Sequence, residues 1–68
     1  MPYTPREVVA KLHRAGFRET RQTGSHRFFR HDDGRRTFVS MHRRDIPPGT
    51  CRKILKQAGL NEQQFREL

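Results

Sequence analysis

Fifteen Lys and Arg against 7 Asp and Glu give this 68-residue chain a net charge of +8, so its partner is expected to be a polyanion, either nucleic acid or an acidic protein. A domain of this size buries only about 60% of the surface its unfolded form exposes, which excludes a deep cofactor cleft. Its lone Cys51 excludes an internal disulfide and fits a reducing cytosol, no apolar run nears the roughly 20 residues of a membrane span, and Met1-Pro2-Tyr3-Thr4 has no signal-peptide pattern. A single cytoplasmic domain over residues 1–68 is therefore expected.

The first element is a helix over about residues 5–15. Thr4, Pro5 and Glu7 form a capping-box signature, and Val8, Leu12 and Ala15 follow at helical spacing until Gly16. Phe17 to Gln22 reads as a short polar strand, and Thr23-Gly24 breaks it before a second strand from His26 to His31. Asp32-Asp33-Gly34 is a hairpin turn, and a third strand runs from about Arg36 to Met41. Pro47 and Pro48 suit the start of a second helix, whose stripe of Cys51, Ile54, Leu55 and Ala58 stops at Gly59. Asn61 and Gln64 are placed to cap a last helical turn carrying Phe65 and Leu68.

This order, α-β-β-β-α, predicts an α+β domain whose three-stranded antiparallel sheet has both helices on one face and leaves the other open. Phe28 and Phe29 are adjacent and must point to opposite faces, so one of them is expected to be partly exposed.

Gly24-Ser25-His26 puts an imidazole at the mouth of the second strand, on a rigid support with access to solvent. Together with His42, Pro48-Gly49-Thr50 and Ile54-Leu55-Lys56-Gln57-Ala58-Gly59, this ordered set resembles the HicA toxin family from residue 7 to about residue 60. The resemblance implies a fold similar to a double-stranded-RNA-binding domain, endoribonuclease activity on mRNA, a catalytic His that maps onto His26, and a HicB-like antitoxin as partner. Where the family shows Val-Pro-x-His, this chain has Val39-Ser40-Met41-His42.

The chemistry agrees from its own side. RNA is cut when its 2′-OH is activated and the departing 5′-oxygen is protonated, and an imidazole exchanges protons near neutral pH. Neither a metal nor a cofactor is required, and none is expected. His42 is a candidate for proton transfer or for orienting the phosphate. Ser25, with no adjacent Asp–His pair, is read as holding the turn or a phosphate. His13 is expected to be solvated, and His31 beside Asp32-Asp33 to belong to the turn rather than to a metal site. Cys51 reads as a small buried hydrophobe.

Phosphate contacts are expected from Arg52, Lys53 and Lys56 on the second helix, from Lys11 and Arg14 on the first, and from Arg27 and Arg43 near the His. The leading reading is a toxin that cleaves mRNA, monomeric when free and in a hetero-oligomer with its antitoxin. In that complex Phe28 or Phe29 would serve as apolar anchor. The alternatives are a noncatalytic RNA-binding module of the same fold and an adaptor for an acidic protein.

Overall fold

A computed structural model describes residues 3–68; Met1 and Pro2, which open the segment judged unlike a signal peptide, lie outside the described residues. Helix α1 spans Pro5–Arg14. Its start is fixed reciprocally: the Glu7 amide donates to Thr4 Oγ1 at 3.2 Å and the Thr4 amide donates to Glu7 Oε1 at 2.9 Å, which satisfies two of the donors every helix start leaves free. Val8, Val9 and Leu12 form its buried stripe, with Ala15 only half-buried. The chain then turns so that the Phe17 amide bonds the Leu12 carbonyl at 2.9 Å. Phe17 consequently enters the core instead of opening the first strand.

Strands β1 (Arg18–Thr23), β2 (His26–Arg30) and β3 (Arg36–Ser40) form an antiparallel sheet in the order β1-β2-β3. The β1–β2 turn is Gly24-Ser25, with Gly24 at φ 58° and no non-glycine residue at positive φ among the described residues. Gly at the first central position is what a type II′ hairpin requires. A bulge at Thr20 sets both Thr20 and Arg21 opposite Phe28, and the Thr20 hydroxyl leans 3.4 Å from the Phe28 carbonyl.

Register decides which residues meet the helices. Arg27 pairs with Val39 and Phe29 with Thr37 on one face; His26 pairs with Ser40, Phe28 with Phe38 and Arg30 with Arg36 on the other. The first face is the covered one. Phe29 lies edge-on to the His13 ring of α1, with centroids 5.6 Å apart. Buried Thr37 donates its hydroxyl to Gln57 Oε1 at 2.9 Å, across the interface with helix α2 (Pro48–Ala58). Both helices thus sit on one face, as the element order requires.

Of the adjacent pair, Phe29 is the core residue and Phe28 is half-buried on the open face. The aromatic exposed to solvent is Phe38, at 42% of its surface. Phe29 is therefore unavailable as a partner's anchor.

Helix α2 ends at Gly59, whose left-handed φ of 70° lets the Leu60 amide return to the Leu55 carbonyl at 3.0 Å. Helix α3 (Glu62–Arg66) starts on a second reciprocal cap, between Asn61 and Gln64. Phe65 packs edge-on against Tyr3 at 5.2 Å, and an isolated bridge from Tyr3 to Ile46 ties the start of the chain to the β3–α2 connection. No described helix is long and apolar enough to cross a membrane.

Candidate active site

The open face of the sheet carries the candidate chemistry at the end nearest the Gly24-Ser25 turn. His26 is exposed there, opposite Ser40 in the ladder, and its ring meets Phe38 edge-on at 5.4 Å. Just beyond β3, the exposed His42 folds back, with Nδ1 2.8 Å from Ser40 Oγ and 3.0 Å from Ser25 Oγ. With its proton on Nε2 the neutral ring accepts at Nδ1 from a serine hydroxyl; with Nδ1 protonated, in the other neutral tautomer or the charged ring, it donates to a serine oxygen. Both arrangements leave Nε2 as the nitrogen outside the network.

The backbone already joins these segments, because the Met41 amide bonds the Ser25 carbonyl at 2.7 Å. The side-chain network therefore orients an imidazole in addition to closing the hairpin. Ser25, His26, Ser40 and His42 thus share one corner of the molecule.

Arg27, adjacent to His26 in sequence, lies on the other side of the sheet. It pairs with Glu19 and sits over the Phe29 ring at 5.8 Å. That bond holds the Glu19 carboxyl below its ordinary pKa and raises that of Arg27. Strand alternation forbids neighbours in a strand from sharing a face. Arg43 is exposed in the connection after His42.

Arg52, Lys53 and Lys56 are exposed on α2, in the helical layer behind the sheet. Lys11 is engaged otherwise: its ammonium donates to the carbonyls of Phe65, Arg66 and Leu68 at 3.0, 3.3 and 3.0 Å, and so closes the C-terminal end of α3. This corrects its expected role as a phosphate ligand.

The remaining candidates have structural duties. His31 packs edge-on to Phe17 at 5.2 Å and accepts from the Asp33 amide at 3.2 Å. Asp33 also binds Arg35, whose hydrogen bonds hold its carboxyl below the usual range. No group of three potential metal ligands occurs among the described residues. Cys51 is half-buried on the α2 stripe, and burial, with the Glu62 charge adding to it, pushes its thiol pKa up, away from the nucleophilic thiolate.

Three residues of this face were not anticipated. Ser40 occupies the position where the related motif has Pro, and the substituted hydroxyl is what reaches His42. Phe38 and Arg21 become visible only through register: Phe38 lies 5.5 Å from Phe28, and the Arg21 guanidinium sits 4.5 Å from the Phe28 ring centre.

A three-stranded sheet backed by helices carries a histidine corner on its free face, and comparison with protein families sets this chain among the toxins of bacterial toxin–antitoxin systems. The model described as HicA toxin of bacterial toxin–antitoxin matches residues 5–60, and the chain belongs to the HicA toxin family. No individually curated protein matches it. Membership implies an antitoxin partner.

Proposed function

We propose that this toxin is an endoribonuclease that cuts mRNA, with His26 taking the proton of the attacking 2′-OH. The 2′-oxygen bonds to phosphorus as the bond from phosphorus to the 5′-oxygen breaks. His42, charged, gives its Nε2 proton to that leaving oxygen. The products are a 2′,3′-cyclic phosphate and a 5′-OH. The supporting observation is the shared corner: His26 exposed on a rigid strand, opposite the Ser40 that holds His42 by Nδ1. This reading assigns phosphate contact to Ser25, within the network, and to Arg43, next to His42 in sequence. Arg52, Lys53 and Lys56 extend the basic surface to the helical layer, while Arg27 contributes there only if it leaves Glu19.

The antitoxin in this reading is a HicB-like protein, acidic over its contact surface, which covers His26 and builds the higher assembly around a toxin that is monomeric when free. Charge complementarity favours fast capture.

The test is incubation of the purified protein with a long RNA in EDTA. Cleavage is expected, with cyclic phosphate ends. His26→Ala should lower the rate about 10²–10⁴-fold with an unchanged circular dichroism spectrum, because an exposed strand-end side chain contributes little packing. Adding a co-purified HicB-like partner should suppress cleavage by the wild type. Undiminished cleavage by His26→Ala overturns the assignment, and strict dependence on added Mg²⁺ or Mn²⁺ points to a metal nuclease instead.

A further inference from the structure

We infer that Phe38, stacked beside Phe28 on the open face, is a docking site for an unpaired nucleobase, so that the toxin takes single-stranded RNA and holds the base next to the bond it cuts. The inference rests on the proposed ribonuclease reading and adds the form of the substrate to it.

Among the described residues Phe38 is the large apolar side chain left exposed, at 42%. It stands in the middle of β3, directly across from Phe28, with ring centroids 5.5 Å apart and planes tilted by 31°. Its other neighbour is the His26 ring at 5.4 Å. An exposed aromatic in the centre of a strand has a cost in water, and here no element of the fold covers it.

The surroundings select the occupant. Beside Phe28 a shallow recess is lined by Arg21, Arg30 and Arg36 among others, and no acidic residue contributes to it. None of the three arginines forms an ion pair among the described residues, in contrast to Arg18, Arg27 and Arg35, which are paired with Asp32, Glu19 and Asp33. Arg21 already lies over the Phe28 ring.

Guanidinium groups around Phe28 with no carboxylate partner among the described residues, next to the exposed Phe38 ring, form a surface for a ligand that is anionic along its backbone and flat at its bases. Proteins that grip single strands combine these two features. A double helix hides its bases in the stack and offers nothing for Phe38 to hold.

The probe is a pool of short single-stranded 2′-O-methyl RNA, which the 2′-OH chemistry cannot cut, with binding read by fluorescence anisotropy at fixed salt. Replacing Phe38 by Ala should weaken binding about 5- to 150-fold, the range for loss of one base–aromatic stack. Phe38→Tyr should bind like the wild type, and circular dichroism should be unchanged in both. On a strand of the same length made abasic throughout, wild type and Phe38→Ala should bind equally.

Equal binding of the base-bearing pool by wild type and Phe38→Ala would overturn the site, as would an equal loss on the abasic strand or no binding of the pool by the wild type. If Phe38→Ala keeps RNA binding and loses only the antitoxin, the face is a protein anchor and the inference is wrong. Failure of the ribonuclease reading shows separately, as a wild type that binds the pool yet never cleaves ordinary RNA.

Discussion

His42 and its two serines make the sharpest distinction available at single residues. A group that protonates a leaving oxygen becomes dispensable when that atom is sulfur, which departs without a proton. On ordinary RNA, His42→Ala should therefore be slowed about 10²–10⁴-fold. On a substrate carrying a 5′-bridging sulfur at the cleaved bond, most of that loss should disappear. His26→Ala should stay slow on both, because the 2′-OH still has to be deprotonated. Full rescue of His26→Ala, or none of His42→Ala, would reverse or remove the assigned roles. The exposed position of His26 at the start of β2 is readable from the sequence because Gly24-Ser25-His26 is contiguous. The role of His42 stays open there, because what fixes that ring is a contact with Ser25, 17 positions away, and a Ser40 whose hydroxyl matters only once the turn folds back.

At the scale of elements, helix limits were legible wherever a local code sets them: the caps at Thr4 and Asn61 and the stop at Gly59 use residues within a few positions of one another. Strand ends were less so. The sequence pattern puts Phe17, His31 and Met41 in strands, yet each lies just outside; where a ladder ends depends on its partner strand. The role of Lys11 is hidden for a related reason, since its acceptors lie 54–57 positions away. Its true role carries a prediction. Lys11→Met should destabilise the fold by about 1–2 kcal/mol, a charge-assisted set of bonds discounted for partial exposure, measurable as a lower denaturation midpoint. Amide exchange at Phe65–Leu68 should quicken. The salt dependence of RNA binding should not change, whereas loss of a phosphate contact would flatten its slope by about 0.7.

For the molecule as a whole, the sheet separates two basic surfaces. The histidine corner and the unpaired arginines occupy the open face, while Arg52, Lys53 and Lys56 belong to the helical layer. The two surfaces lie on opposite sides of the sheet, so a strand of one or two nucleotides held on one does not extend round to the other. Replacing Arg52 and Lys56 together should therefore flatten the salt slope on long RNA by about 1.4, two single-strand contacts at 0.7 each, and leave it unchanged on a very short strand. A change on the short strand would place the helical cations beside the open face after all. Composition announced the charge, but its division between two faces depends on strand phase, which no count of arginines contains.

The bulge at Thr20 bears on how the molecule behaves among copies of itself. A three-stranded sheet has two free edges, and a flat free edge is a template on which another chain can add a strand. The doubled residue opposite Phe28 breaks the regular spacing of amides and carbonyls along β1 and increases its twist. Arg18, Glu19 and Arg21 line the same edge with charge. The other edge, β3, is only five residues long, begins at an Arg and gives way at once to the turn after Ser40. Neither margin invites strand addition, so the aromatic surface on the open face can stay uncovered without the sheet polymerising through its sides.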